Sequence, residues 1–301
     1  MQPSRPAPSG IGWGAGGSPP AGESGTADRA TGSLEIWSGG AIEVGTRDRT
    51  TGRSKLSFTT SGLSSGMDIK LGEDLIVGAG GGYGGSRTDI GETLGRLDSS
   101  SWVGVAYGSL RPGKGAFVDA VAGIGGLDLD TRRTAANGQL ATGSRSGSMR
   151  FGSLAVGYDG GVEAWRLSAY LRAEYLSASL DEYIEAGAGL YNLRYGRLDV
   201  ESLSGTGGLR TSVELGAVTP RAQFEWRHEF SGASDQRLDY ADLTGLTYRI
   251  QSDDQLRDEF SLELGFGVEL GRGWTFGTDF GGRIGRGFRS GVVRGTISAA
   301  F

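Results

Sequence analysis

From Leu34 onward, apolar and polar residues alternate with a period of two. The clearest segment covers residues 166–175, in which one face is apolar: Leu167, Ala169, Leu171, Ala173 and Tyr175. The stretch that follows Pro220 and the stretch at 259–270 repeat this alternation. Because successive side chains of a strand point to opposite faces, the pattern predicts β-strands with one apolar and one polar face. Alternation alone fits both a soluble sandwich and a membrane barrel.

The connections between these segments alternate between short and long. Short turns rich in glycine and charged residues are predicted at 71–74, 111–115, 159–161, 215–218 and 270–273. Longer polar segments are predicted at 46–54, 84–100, 128–148, 181–198, 231–255 and 283–290. Outer-membrane barrels have this asymmetry, with short periplasmic turns and long external loops. The sequence therefore predicts an all-β fold, a transmembrane antiparallel up-and-down barrel of about 12 strands.

Tryptophans near the ends of the predicted strands are candidates for the aromatic belts that lie at the two membrane interfaces. They are Trp37, Trp102, Trp165, Trp226 and Trp274. The alternative is that they fill the core of a soluble β-sandwich.

Composition favours the all-β interpretation and excludes several chemistries. Glycine accounts for 57 residues and proline for 7, and interior glycines at this frequency disfavour long helices. There is no cysteine, and His228 is the single histidine, so thiolate metal sites and most zinc or triad chemistry are excluded. A formal net charge of −5 and a pI near 5.1 argue against nucleic acid as a partner.

Residues 1–33 are rich in Pro, Gly, Ser and Ala, which predicts a flexible leader before a barrel domain at 34–301. No run approaches the roughly 20 apolar residues of a transmembrane helix. Residues 1–20 also lack the apolar centre of a secretory signal. For an outer-membrane protein, an export signal is therefore expected upstream of Met1.

Three short motifs match enzyme signatures without the structural context that those signatures need. A nucleophile-elbow pattern surrounds Ser64, but the elbow requires a helix after it and a partner histidine. Glycine patterns at 80–85 and 108–115 fit nucleotide-binding loops, yet strands rather than helices are expected after them. Acidic pairs at 128/130 and 253/254 are more simply explained as solvated carboxylates than as calcium ligands. We predict no catalytic residue, no cofactor and no metal site.

Four places resemble the autotransporter β-domain family, and the resemblance covers about residues 34–301. The segment 61–78 looks like the family's second and third strands, and 171–185 is similar to its midsection. The most specific match is the series Pro220, Trp226, His228, Glu229 and Phe230.

The C-terminal strand resembles the signal that the barrel-assembly machinery reads in this family. Its apolar face includes Gly295, Ile297 and the terminal Phe301. The family commonly has an aromatic residue two positions before the end and a glycine five before it. Here those positions hold Ala299 and Thr296, which is a departure from the pattern.

The resemblance implies a non-catalytic translocator in the bacterial outer membrane, with loops extracellular and short turns periplasmic. The last strands would close on the first, a segment of residues 1–33 would lie in the lumen, and an N-terminal passenger would reach the cell surface. The implied partners are outer-membrane lipid and lipopolysaccharide, the barrel-assembly machinery, and the protein's own passenger segment. Some members cleave the passenger at an asparagine in the lumen segment, whereas the first asparagine here is Asn137, in a predicted external loop.

Charged residues on the polar strand faces would line the lumen and contact that segment. They are Arg172, Glu174, Arg221, Glu225 and Arg227. The alternative is that they pair with one another across strands and keep the lumen solvated. An alternative function is an adhesin-like or porin-like outer-membrane barrel that acts through its long external loops.

Overall fold

The computed structural model describes residues 31–49, 54–91, 95–113, 115–162, 164–232, 234–242, 247–251 and 257–301. Almost all of the predicted leader therefore lies outside the described residues. The strands of the described part are β1 (Leu34–Arg47), β2 (Leu56–Leu71), β3 (Leu75–Ile90), β4 (Gly95–Leu110), β5 (Ala116–Thr134), β6 (Leu140–Val162), β7 (Trp165–Leu180), β8 (Tyr183–Ile184), β9 (Leu193–Tyr195), β10 (Leu198–Val213), β11 (Val218–Glu229), β12 (Asp235–Tyr240), β13 (Tyr248–Gln251), β14 (Asp258–Gly271), β15 (Trp274–Gly285) and β16 (Phe288–Ala300).

Twelve of these strands form a closed antiparallel barrel in the order β1-β16-β15-β14-β11-β10-β7-β6-β5-β4-β3-β2. The first strand pairs with both the second and the last, so that Trp37 lies opposite Gly66 on one side and Ser298 on the other. The backbone of Phe301 completes the closure, because its N–H donates to Leu34 O at 2.8 Å. The predicted all-β fold, a barrel of about twelve strands, is confirmed.

The two ends of the barrel differ. One end, the turn rim, holds residues 31–33, Phe301 and the short connections 72–74, 111–115, 163–164, 214–217 and 272–273. The opposite end, the loop rim, holds the connections 48–55, 91–94, 135–139, 181–197, 230–257 and 286–287. Left-handed backbone at Gly72 (φ 78°) and Gly216 (φ 66°) explains why glycine occupies turns at the first of these ends.

Several segments that we expected to be long loops are strands instead. The polar segment 84–100 forms the ends of β3 and β4 with only 91–94 between them, and 128–148 is reduced to a connection at 135–139. The predicted turn at 159–161 also lies within β6. These stretches are polar because their outward side chains lie beyond the apolar band of the barrel. Their polarity therefore indicates exposure to water and does not distinguish a strand from a loop.

An apolar band covers the outside of the barrel next to the turn rim. On β7 it extends from Trp165 to Tyr175, which matches the roughly 9–11 residues that a strand needs to cross a bilayer. Beyond the band the outward residues are polar, as in the ion pair between Arg87 Nε and Asp98 Oδ1 at 3.0 Å. Side chains that belong to the band and are exposed include Leu63, Ile124, Leu171, Leu209, Leu264 and Phe280.

Four of the five tryptophans assigned to the aromatic belts point outward: Trp102, Trp165, Trp226 and Trp274. The assignment of Trp37 was wrong, because its side chain is 3% exposed and points into the lumen. It lies an even number of positions from Glu35 and Glu43, and therefore shares the inward face of β1 with them.

A small four-stranded sheet, in the order β13-β12-β9-β8, lies at the loop rim. The rings of Tyr183 and Tyr195 stack in it with centroids 4.6 Å apart, next to Leu238. Tyr183 also packs onto the inward face of β6, where a Cβ at Gly143 would lie 2.4 Å from its ring. The guanidinium of Arg145 lies 5.4 Å from the centre of the same ring. The small sheet therefore covers the inner side of the β5–β6 hairpin where this hairpin rises above the band.

The barrel lumen as candidate functional site

Glu225 of β11 is the centre of a cluster of polar side chains on the inward face. It accepts hydrogen bonds from the hydroxyl of Tyr170 on β7, from Arg172 Nη1 at 3.0 Å and from Gln223 Nε2 at 3.0 Å. Arg172 Nε also lies 3.4 Å from Glu174 Oε1. The carboxylate is 6% exposed, so its charge is balanced by these partners rather than by bulk water.

A second cluster surrounds Glu229, which is 1% exposed. Its carboxylate accepts from Ser202 Oγ at 2.7 Å, from Arg227 Nη2 at 2.9 Å and from the backbone N–H of Leu203 at 3.0 Å. Arg227 also lies 3.8 Å from Glu259 of β14. Strands β7, β10, β11 and β14 are thus connected through side chains inside the barrel.

Three further ion pairs join strands that are separated by one intervening strand. Arg221 of β11 makes a bidentate contact with Asp279 of β15, with N–O distances of 2.7 and 2.6 Å. Arg294 of β16 pairs with Glu263 of β14 at 2.5 Å. Arg283 of β15 pairs with Glu43 of β1 and therefore spans the position where the last strand closes the barrel.

Glycines lie beneath two of these bridging pairs. A Cβ at Gly265 would lie 2.1 Å from Asp279 Oδ1, and one at Gly281 would lie 2.8 Å from the Glu263 side chain. Both distances are shorter than a real Cβ contact. The intervening strand must therefore lack a side chain for the two partners to meet across it.

We call the inward face of β7, β10, β11 and β14–β16, together with Glu43 of β1, the charged wall. The inward face of β3 and β4 and the middle of β2, β5 and β6 carry no charged residue in the described part, and we call this region, together with Trp37 of β1, the neutral wall. On β5 it extends from Val121 to Thr131, between Asp119 near one rim and Arg133 near the other. Its larger inward side chains are Trp37, Val103, Val105, Tyr107, Val121, Leu129 and Phe151.

The neutral wall uses aromatic rings where the charged wall uses ion pairs. Trp37 reaches from β1 to β4, where its Nε1 donates to the hydroxyl of Tyr107 at 2.6 Å. Trp37 passes over β2 and β3 at glycines, since Cβ atoms at Gly66 and Gly80 would lie 2.7 and 3.2 Å from the indole. The Tyr107 ring in turn lies over Gly78, where a Cβ would approach it to 2.3 Å.

The motif at 220–230 divides between the two faces of β11. Pro220, Trp226, His228 and Phe230 point outward, while Glu229 points into the lumen. Trp226 Nε1 donates to Asp258 Oδ1 at 3.0 Å, and His228 Nδ1 lies 3.0 Å from the same oxygen. The motif therefore combines outward aromatic residues with an inward carboxylate.

The residues of the predicted assembly signal lie on the outward face of β16. Ile297 is 41% and Phe301 is 71% exposed, and Gly295 lies between Val293 and Ile297 on that face. In contrast, Ser64 lies in the middle of β2 with strand on both sides and faces the lumen, whereas His228 faces outward on β11. These two residues are on opposite sides of the barrel wall.

Sequence reasoning missed the partners that cross between non-adjacent strands. Tyr170 is two positions from Arg172 and therefore shares its inward face, but nothing in a single sequence pairs it with Glu225. For Trp37 a signal was present, since Glu35 and Glu43 lie at even spacings from it.

The closed barrel, its apolar outer band and its polar lumen define the class of outer-membrane-type β-barrel proteins. In the described ranges, no helix has the length and apolarity needed to cross a membrane. The same part of the chain contains no group of three or more His, Cys, Asp or Glu that could hold a metal ion.

The chain belongs to the autotransporter β-domain family, whose profile matches residues 36–281. It is therefore an integral outer-membrane barrel and a translocator domain of type V secretion. No curated protein sequence matches the chain.

Solved structures of similar fold include three autotransporter barrels. The translocator domain of NalP from Neisseria meningitidis has a TM-score of 0.76 at 19% identity and covers 90% of this chain and 89% of its own. The β-domain of BrkA from Bordetella has a TM-score of 0.62 at 17% identity, with 88% and 98% covered. The transport unit of AIDA-I from Escherichia coli has a TM-score of 0.57 at 11% identity, with 90% of each chain covered.

Proposed function

We propose that this barrel carries an N-terminal passenger through its lumen to the cell surface and anchors it in the outer membrane, without catalysis of its own. The observation that supports this most is the position at which the chain joins the barrel. Gly32 N–H donates to Lys70 O at 2.8 Å, and Lys70 N–H donates to Ser33 O at 3.1 Å. Both bonds lie at the turn rim, so a preceding segment must pass the lumen to reach the loop rim.

The length of the leader is sufficient for this passage. A strand of 16 residues such as β2, tilted by about 40°, rises roughly 40 Å along the barrel axis. About 12 extended residues or about 27 helical residues cover that distance. The leader has 30 residues before Thr31, which is enough in either conformation.

In this proposal the loop rim is extracellular and the turn rim is periplasmic. Lipid and lipopolysaccharide contact the apolar band and the polar surface above it. The barrel-assembly machinery recognises the C-terminal strand through Gly295, Ile297 and Phe301. The ion pairs of Arg172, Glu225 and Arg227 with partners on other strands support a structural role for the charged wall rather than a catalytic one.

The test uses single cysteines, because the natural chain has none. Ser4→Cys reports on the leader, Asn137→Cys on the loop rim, and Glu73→Cys on the turn rim. With the chain expressed behind a secretory signal peptide, intact cells are treated with a membrane-impermeant maleimide. We expect Ser4→Cys and Asn137→Cys to react, and Glu73→Cys to react only after the outer membrane is permeabilised. Reaction of Asn137→Cys alone would contradict passage of the leader. Reaction of Glu73→Cys alone would show that the barrel has the opposite orientation in the membrane.

A second candidate function is surface binding by the loop rim. It is favoured by the ordered sheet of β8, β9, β12 and β13, in which Ile184 and Tyr248 are about half exposed, at 50% and 52%. Deletion of residues 235–251 should then abolish attachment of cells to host matrix and leave leader labelling unchanged. Unchanged attachment would remove this candidate.

A further inference from the structure

A cluster of aromatic and acidic side chains lies inside the barrel close to the turn rim. Trp37 donates its indole N–H to the hydroxyl of Tyr107. The single proton of this hydroxyl has two acceptors, Asp68 Oδ2 and Met67 O, both at 3.3 Å. Asp68 is 1% exposed, so its carboxylate is deeply buried among these groups. Glu35 lies two residues before Trp37 on the same inward face and adds a second carboxylate.

The two rings are held against the barrel wall. Trp37 lies against Gly66 and Gly80, where Cβ atoms would approach it to 2.7 and 3.2 Å, and Tyr107 lies against Gly78. One face of each ring therefore packs on backbone. Carboxylates beside aromatic faces are the environment that a guanidinium group favours, because it forms charge-assisted hydrogen bonds and stacks on rings.

The cluster is next to the residue at which the leader joins the barrel. Gly32 is bonded to the backbone of Lys70, which lies two positions from Asp68 on the same face of β2. Arg29, which lies outside the described residues, precedes Gly32 by three positions, and three residues span at most about 10 Å. Arg5 is the other basic residue of the leader and is far along the chain.

We propose that Asp68, Glu35, Trp37 and Tyr107 form a guanidinium site that binds Arg29. The inference rests on the proposed passage of the leader through the lumen and names the contact that holds the leader at the periplasmic mouth. The site fixes the direction in which the leader enters, because it lies on the β1–β4 side of the barrel.

Limited trypsin digestion of the purified, folded barrel in detergent tests the site, since trypsin cuts after arginine unless proline follows. Pro6 follows Arg5, so every digested chain also carries Pro6→Ala, which makes the bond after Arg5 cleavable. In the Pro6→Ala chain we expect cleavage after Arg5 and protection after Arg29. In Asp68→Asn, cleavage after Arg29 should become faster by about tenfold, as expected when a local contact that suppresses opening is lost. Arg5 provides the internal control, and a heat-dependent shift in gel mobility confirms that each variant is folded.

The outcomes separate the two proposals. Equal cleavage after Arg5 and Arg29 in the Pro6→Ala chain would overturn the passage of the leader through the lumen. Protection of Arg29 that is the same in the Pro6→Ala chain and in Pro6→Ala/Asp68→Asn would leave the passage intact and overturn the guanidinium site. Should Asp68→Asn fail the folding control, Glu35→Gln replaces it with the same expectations, because it removes the second carboxylate and keeps the side-chain shape.

Discussion

The charged wall and the neutral wall both hold non-adjacent strands together, but they do so with different kinds of side-chain contact. Both carry side chains that connect strands with no hydrogen bonds between them, across a strand that has glycine at the crossing. On the charged side the connection is an ion pair, as between Arg221 and Asp279 over Gly265. On the neutral side it is a pair of rings, Trp37 and Tyr107, over Gly66 and Gly78.

Glycine in this barrel is therefore required by the side chains that cross above it and not only by turns. The charged wall depends on complete neutralisation of buried charged groups, whereas the neutral wall depends on the fit of aromatic rings against glycine backbone. The two walls should therefore be destabilised by different substitutions.

The largest effect is expected from Arg172→Met. This change leaves Glu225 with Tyr170 and Gln223 but without its cation, and removal of one partner of a buried ion pair typically costs about 3–5 kcal/mol. Urea unfolding of the barrel in lipid vesicles, followed by tryptophan fluorescence, measures the loss. The double variant Arg172→Met/Glu225→Gln should recover most of it, because the buried carboxylate is removed together with its cation, and Glu174 keeps Arg227 at 4.0 Å. Equal losses in the single and double variants would contradict the role assigned to neutralisation.

A smaller loss is expected when the neutral wall is overpacked by Gly78→Val. The new side chain would meet the Tyr107 ring, from which even its Cβ lies only 2.3 Å away, and overpacking typically costs about 1–3 kcal/mol. Gly104→Val is the control at a strand glycine of the outward face of β4, because a Cβ there has no neighbour within 4 Å. The same unfolding measurement applies, and an equal effect of the two substitutions would refute the requirement for glycine beneath the ring.

An ion pair outside the barrel should be almost dispensable. Arg87 and Asp98 pair at 3.0 Å above the apolar band, with side chains 63% and 31% exposed. Exposed pairs contribute about 0–1 kcal/mol and are screened by salt, so Arg87→Ala should change the free energy of unfolding by less than about 1 kcal/mol. A loss as large as that of Arg172→Met would mean that burial does not distinguish the two sites.

The sequence predicts the strands and the direction of their side chains, but not the contacts that side chains make across the lumen. Alternation at period two predicts the strands, their number and the faces of Arg172 and Glu225, because facing depends only on local geometry. It misplaced the polar ends of the β3–β4 and β5–β6 hairpins, since a strand with water on both faces loses its apolar alternation.

The contacts across the lumen are a different case. The crossing of Trp37 over Gly66 and Gly80 to reach Tyr107 depends on the register between four strands, which a single sequence does not contain. Only the inward direction of Trp37 was accessible, from its even spacing to Glu35 and Glu43. The resemblance of the motifs to the family predicts the function better than the two walls do. Ion pairs and aromatic contacts like those of the walls also occur in purely structural networks of many proteins.

The smallest expected effect is on the titration of tyrosines in the small sheet at the loop rim. This sheet continues the aromatic packing of the neutral wall beyond the barrel. Burial raises the pKa of the Tyr183 phenol and that of Tyr195, although Arg145 and Arg133 nearby oppose the rise. A phenol with a raised pKa binds its proton more tightly in the folded state. Its contribution to stability is present below about pH 10 and is lost as the pH rises through the folded pKa. Alkaline titration followed by phenolate absorbance should therefore show one late tyrosine fewer in Tyr183→Phe than in the natural chain. Tyrosines that all titrate together near pH 10 would show that water reaches the small sheet freely, and the neutral packing would then end at the barrel itself.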